Sequence, residues 1–362
     1  MAIQRRAHST QYLNSPSRKN PVPNPKLELY QEYPAPDERE TIDAITDLLI
    51  GHLKIQYRDQ PKLRDTHTKS NGLIKGRFQV LPNLPDELRV GLFSEPRTYD
   101  CWIRFSNSDS FISNDKAKDF RGISLKLFEV EGEKLQPDET GTFDFILLGN
   151  DAFFAKHARD FLAFFRLLFR YKKPLGPLLY ILTRWRQAHN IFFGRRVFGN
   201  PLEINWFSAV PYRFGKRAVK YRIPRSKPLS PPDKDDPDYL RRRLAASLQE
   251  KDWTLDFEIQ FQLDPYQHPI ESALVPWKNS PFYKIAEIHL PRQEFNSPAQ
   301  LRFGENLTYN PWHCTAEHRP LGGINRARRD VYHALQEFRL AQNHQRRSDV
   351  VTSTPFGPRD HE

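Results

Sequence analysis

The sequence predicts an α+β fold, an antiparallel β-sheet or barrel of many strands with helices at its periphery. Three observations predict it. From Gly76 onward, apolar residues recur at every second position in run after run. These runs are joined by turn-rich loops, with no regular strand–helix alternation. Helical spacing is confined to one segment near the start, one in the middle and one near the end.

Residues 1 to about 30 are polar, with proline and basic residues interleaved, and predict a flexible arm. Residues 36–56 (PDERETIDAITDLLIGHLKIQ) carry apolar residues at helical spacing behind an acidic start, which predicts a helix. The stretches RFQV, CWIRFS, GISLKLFEV and FDFILLG then predict strands, bounded by LPNLPDE and SNSDSFISND. Between Asp160 and Phe198 the chain is aromatic, aliphatic and basic, and Pro174 and Pro177 break it into at least two helices. Such helices either pack on the barrel or offer an amphipathic surface to a membrane or a fatty-acid tail. KRAVKYRI, WTLDFEIQFQL and FYKIAEIHL predict later strands. The Pro- and Asp-rich SKPLSPPDKDDPDYL reads as a surface loop, and strands resume after it, so it does not divide two cores. From Pro320 a glycine pair punctuates the chain and a helix follows to Gln342. Residues 31–342 are therefore expected to form a single domain, with 343–362 as a loose tail.

Composition excludes some classes and leaves others open. Aromatic residues make up 13% of the 362, which suits either an aromatic core or a flat apolar ligand. The formal charge of +11 invites nucleic acid, an anionic membrane surface or anionic small ligands. No zinc spacing, helix-turn-helix pattern or RNP-like strand accompanies it, so nucleic acid is not the expected partner. Cys101 and Cys314 stand far apart among apolar neighbours, which predicts two buried thiols in a reducing compartment rather than a disulfide scaffold. The N-terminus lacks the apolar core of a signal peptide and no stretch gives twenty apolar residues, so a cytoplasmic location, with peripheral membrane contact through 161–198 left open, is expected.

The dinucleotide, P-loop, HExxH and GxSxG motifs are missing. Four scattered segments remain. They are RDTHTKS at 64–70, RFSNS from Arg104 with KDFRGISLKLF from Lys118, FDFILLGNDAFF ending at Phe154, and RARRDVYHALQEFR at 326–339.

Together, in this order, they resemble the haem-binding segments of catalases over roughly residues 60 to 340. The match includes Arg64, His67 and Lys69; Arg104, Phe105 and Ser106; Arg121, Gly122 and Lys126; Asp144, Gly149 and Asn150 with the Phe153–Phe154 pair; and Arg328, Tyr332 and Arg339. The Asp144–Gly149 spacing is wider than in catalases, and one residue is missing between Asn150 and the Phe pair.

The resemblance implies a catalase-like antiparallel barrel of about eight strands, with haem b between barrel and helices. It implies Tyr332 as the iron ligand, with Arg328 one helical turn away favouring the charged phenolate. Arg64, Arg104 and Arg339 would pair with the propionates, and Phe153 and Phe161 would pack on the macrocycle. His67 would act as the base that moves a peroxide proton, Asn150 would hold a peroxide oxygen, and Ser106 would fix the imidazole.

Two departures point toward small catalase-related proteins, such as catalase-type allene oxide synthases. The chain is shorter than common catalases, and Thr66 stands where they have Val before the distal His. A hydroxyl there is positioned to restrain His67. The implied activity is conversion of organic hydroperoxides, fatty-acid hydroperoxides foremost, with an upstream lipoxygenase as supplier left open. The alternatives are a small hydrogen-peroxide-degrading catalase or peroxidase and a non-catalytic haem-binding protein. A monomer or homodimer is expected, because the chain lacks long wrapping arms.

Overall fold

The computed structural model describes residues 26–58, 60–64, 66–136, 141–171, 175–344 and 355. The expected arm up to residue 25 and the tail beyond 344, apart from Pro355, lie outside the described residues. The last part of the arm lies against the body: the Leu27 amide donates to the Tyr266 hydroxyl and that of Tyr30 to Gln262.

A closed antiparallel barrel of eight strands carries the fold. Its first half is β1 (Ser70–Val80), β2 (Thr98–Asn107), β3 (Arg121–Phe128) and β4 (Thr142–Leu148), each paired with the next. The two-residue β5 (Trp206–Phe207) bridges β4 to β7 (Arg217–Ile223). β7 pairs with β8 (Trp253–Phe261), β8 with β9 (Phe282–Leu290), and β9 returns to β1, which closes the barrel. β6 (Tyr212–Phe214) is an additional strand that pairs with the start of β7, whose end pairs with β5.

The period-two pattern decides which residues fill the barrel. Ile74, Phe78, Ile103, Phe105, Ile123, Leu125, Phe143 and Phe145 belong to one buried cluster. Phe78, Phe145, Tyr221 and Phe257 stack edge-on and tilted inside it, with centroids 4.8–5.7 Å apart. Their neighbours in sequence point outward. Arg104, Ser106, Gly122, Lys126 and Asp144 therefore share the outer wall formed by β2, β3 and β4.

Helices pack at the periphery of the barrel. α1 (Glu38–Gln56) packs with α2 (Ala158–Arg170) and α7 (Gly323–Gln342) through Ile42, Ile45, Leu49, Leu162, Phe165 and Val331. The aromatic, basic segment, expected to form at least two helices, forms three. α3 (Leu175–Thr183) and α4 (Trp185–Gly194) follow α2. Pro177 falls in the first turn of α3, where a missing amide hydrogen costs nothing, so it does not break that helix. α5 (Tyr239–Glu250) lies against β1, and so does α6 (Pro298–Asn306).

The start of α7 is tied down by a half-buried ion cluster. Arg326 pairs with Glu32, Glu38 and Glu271, and Arg319 also pairs with Glu32. Burial alone raises the Glu32 pKa, but the Gly322 amide and the two guanidiniums outweigh it and hold the carboxyl below its usual range. Both cysteines are buried and unbridged.

Candidate active site

Three parts of the chain converge on the outer wall of β2 and β3: the turn at residues 66–68, the outward side chains of those strands, and one face of α7. His67 adopts a left-handed backbone (φ 59°), a costly conformation for a residue with a Cβ. Two backbone bonds hold it there: the His67 amide donates to Ser108 O at 3.2 Å, and Arg104 Nη2 donates to His67 O at 2.9 Å. The ring lies on Gly122. A Cβ at that glycine would come within 2.5 Å of the imidazole, so only glycine admits the ring at this place.

His67 Nδ1 is 2.9 Å from Ser106 Oγ, which also reaches Gly122 O at 3.5 Å. With the Ser106 hydroxyl directed to that carbonyl, Nδ1–H donates to Ser106 and the other nitrogen keeps its lone pair. The tautomer is assigned from this network. Burial first, then the charges of Arg104, Arg328 and Arg64, lower the His67 pKa from 6.5 to about 3. The ring is thus a neutral base at neutral pH. Thr66 is half-buried beside it, and the side-chain bond to the imidazole comes from Ser106.

The arginines converge on one residue for which the sequence offers no signal. Glu305, at the end of α6, lies 3.2 Å from Arg64 Nη1 and 3.4 Å from Arg104 Nη2, and its backbone carbonyl accepts from Arg339 Nη2 at 3.1 Å. Burial alone raises the Glu305 pKa, but the three guanidiniums outweigh it and lower it. One carboxylate against three guanidiniums leaves two positive charges over. The strain shows in the arginines. Burial first, with like charges nearby, depresses Arg64 well below its usual range and Arg339 to about 10. Arg104 Nε is buried without a hydrogen-bond partner. A buried cluster of this kind favours binding of carboxylates.

On α7, Arg328 Nε donates to the Tyr332 hydroxyl at 3.2 Å and Nη1 donates to Asn325 Oδ1 at 3.2 Å. Burial lowers the Arg328 pKa, but Tyr332 and Tyr212 together outweigh it, so this cation is held firmly charged. Tyr332 stays half-buried although Ala327, Val331 and Leu340 on the same helix are buried. Asn150, in the turn after β4, is half-buried too, with Gly194 at the end of α4 resting on it: a Cβ there would meet Asn150 Nδ2 at 2.3 Å. Phe153 and Phe161 sit 5.9 Å apart in a cluster with Phe154 and Phe164.

His67, Ser106, Gly122, Arg64, Arg104 and Arg339 are joined by direct contacts, in the last three through Glu305. Arg328 and Tyr332 form a second group whose charge reaches the His67 ring. The matched Lys126 and Asp144 form a different feature. They pair with each other on the outer wall, Nζ to Oδ2 at 3.0 Å, and neither side chain is exposed.

A pH dependence of stability follows. His318, buried among Phe93, Phe143 and Phe214, has its pKa lowered to about 4, chiefly by burial. His67 and His318 are neutral when folded, whereas both titrate near 6.5 when unfolded. The unfolded chain therefore takes up more protons in acid. Their contribution is complete above about pH 6.5 and is lost as pH falls toward 4 and 3. Each should cost on the order of 1.4 kcal/mol per pH unit inside that window. Urea unfolding of His318→Gln should show a shallower loss between pH 6 and 4. A slope identical to that of the parent chain would refute the assignment.

No protein-family model matches the chain, and no curated protein matches it in sequence. Its fold is similar to that of solved catalases. A fungal catalase aligns with a TM-score of 0.66 and 17% identity, covering 94% of this chain and 70% of that one. A bacterial catalase aligns at 0.64 and 15%, covering 94% and 67%. Catalase A from Saccharomyces cerevisiae aligns at 0.63 and 19%, covering 90% and 70%. The chain has the catalase-like fold, a closed barrel of eight antiparallel strands with peripheral helices.

Proposed function

We propose that this chain is a haem-dependent enzyme that converts organic hydroperoxides, with fatty-acid hydroperoxides as its substrate class. The observation that carries the reading is the neutral His67 imidazole, held by Ser106 and Gly122 beside a buried arginine cluster, with a tyrosine–arginine pair on α7 close enough for its charge to act on the ring.

The residues present fit haem b. Its two propionates match the two positive charges left over at Arg64, Arg104 and Arg339 after Glu305 is counted. Tyr332 would hold the iron, with Arg328 Nε donating to its oxygen. Phe153 and Phe161 would flank the ring. When bound, haem supplies the iron at which a peroxide O–O bond is cleaved.

The chain's own residues handle the proton and the substrate. His67 takes the peroxide proton on its free nitrogen and returns it to the leaving oxygen. Ser106 keeps the imidazole in the required tautomer and orientation. Asn150 holds a peroxide oxygen by donating from its amide. Thr66, half-buried beside His67, places a hydroxyl at the turn that carries the base and disfavours repeated proton shuttling with hydrogen peroxide.

A second reading, a small hydrogen-peroxide-degrading catalase, has the solved neighbours on its side, since all three reported above are catalases. One experiment separates the two. Oxygen release from hydrogen peroxide and loss of a fatty-acid hydroperoxide are followed side by side on the same haem-loaded sample. The proposal expects rapid loss of the lipid peroxide with little oxygen, and Thr66→Val should raise the oxygen yield. Vigorous oxygen release from the parent chain, unchanged in Thr66→Val, supports the second reading. Stable haem loading with neither peroxide consumed leaves a haem-binding protein without this activity.

A further inference from the structure

The helices α3 and α4 leave an apolar face bare. Among the described residues, seven of the sixteen exposed large apolar side chains lie between residues 175 and 193. Leu175, Leu178 and Leu182 recur at helical spacing on α3, with Ile181 beside them, and all are 47–71% exposed. Trp185, Phe192 and Phe193 continue the face on α4, at 59–66%. Scattered apolar residues are ordinary on a protein surface, but a contiguous set of this size marks a contact surface. The loop carrying Asp109, tied to Arg195 at 2.9 Å, adds exposed Phe111 and Ile112 nearby.

The segment that carries this face is basic, and although Arg184 pairs with Asp160 and Arg195 with Asp109, other cations near the face carry no such partner among the described residues. From Phe161 to Phe198 the chain has eight lysines and arginines and no acid. Arg166 and Arg170 are exposed on α2. Lys118 sits 5.5 Å over the Phe192 ring, with no carboxylate partner among the described residues.

We infer that the α3–α4 face docks on an anionic lipid bilayer. Both components point to that occupant. Apolar side chains with an aromatic border enter the acyl boundary, while arginines and lysines reach the phosphates around them. Each basic residue at an anionic surface adds favourable free energy, and that part is screened by salt. A second copy of the chain is a poor occupant, because a two-fold contact would set the two basic rims against each other. Among the described residues no helix is long and apolar enough to cross a membrane, so α3 and α4 lie in the interface plane.

A groove opens beside the face. It measures about 380 Å³ and runs between α2, α3 and α4, lined by Phe164, Leu168, Tyr180, Ile181 and Ile191, with Lys118 among its lining residues. α4 ends at Gly194 against Asn150. On the hydroperoxide reading, and only on it, docking would place this groove where an acyl chain leaves the bilayer. The docking itself does not depend on haem or activity.

The test uses the full chain in flotation with phosphatidylcholine vesicles, with and without phosphatidylserine. Binding is expected to vesicles containing phosphatidylserine, to weaken as salt is raised, and to be nearly lost without the anionic lipid. Arg166→Glu with Arg170→Glu changes only exposed positions and should weaken binding about tenfold or more. Trp185→Ser with Phe192→Ser and Phe193→Ser should abolish it while leaving the thermal melt in place. Failure to bind anionic vesicles overturns the inference. So does a concentration-dependent dimer, seen by light scattering, that the triple variant dissolves. Because flotation needs neither haem nor peroxide, its failure is separable from failure of the enzymatic reading.

Discussion

His67→Ala should lower peroxide turnover by about 10²- to 10⁴-fold, the span lost when a positioned acid–base group is removed. Haem content should stay close to that of the parent chain, because the arginine cluster and the α7 pair do not depend on the imidazole. The size of the effect rests on how completely the ring is committed. Its backbone is held in the left-handed region. One nitrogen is engaged by Ser106 at 2.9 Å, and burial and three arginines keep it neutral. No other histidine is bonded into this network among the described residues, so none takes over the proton. The measurement is initial rate against peroxide concentration at matched haem absorbance, with His67→Gln as the size-matched control. Retention of more than about a tenth of the parent rate in both variants would mean that the base lies elsewhere.

Asp144→Ala should destabilise the fold by about 3–5 kcal/mol, the range for stripping one partner from a buried ion pair. Lys126 and Asp144 face each other across the β3–β4 ladder, and neither side chain is exposed. The carboxylate also accepts from the Asn310 amide at 2.8 Å and from His313 Nδ1 at 2.9 Å. Truncation therefore leaves an uncompensated lysine charge and two further donors without their acceptor. It also loosens the segment from Leu307 to His313, which runs between Glu305 and α7. Replacing both members by apolar residues, Lys126→Met with Asp144→Leu, should recover most of the loss, since the pair's attraction only roughly offsets its desolvation. Urea midpoints at constant slope measure both effects. A loss under about 1 kcal/mol for Asp144→Ala would show that water or another cation reaches the site.

Legibility differed between parts of the molecule for physical reasons. The end of β1 from Gly76, β2–β4 and β7–β9 were readable because one face of each fills the barrel, which imposes the period of two, whereas residues 70–74 of β1 are buried without alternation. β5 and β6, with two and three residues, are too short to show a period. α5 begins inside the segment expected to be a surface loop: Tyr239 and Leu240 are buried, and Leu240, Leu244 and Leu248 recur every fourth residue on its buried face. α6 had a Ser297 cap and Pro298 at its first position, but only Gly304 on it is buried, so no apolar stripe marked it. In the aromatic segment, prolines announced a break, yet the break between α3 and α4 falls at Arg184, where composition gives no warning.

By itself the sequence determined the residue types of the candidate site and their order along the chain: a histidine turn, outward arginine and serine on one strand, and a tyrosine with arginines four before and seven after it. The resemblance of four ordered segments to the haem-binding segments of catalases singled these residues out, and helical spacing adds only that Arg328 and Tyr332 lie one turn apart. Only the tertiary structure decided that Glu305 lies among Arg64, Arg104 and Arg339, that Gly122 is the floor under His67, that Lys126 and Asp144 bond to each other, and that α3 and α4 leave their apolar residues bare. These are contacts between segments tens to hundreds of residues apart. They exist because barrel closure and helix packing bring those segments together, and no short-range pattern encodes a distance that the whole core must fold to establish.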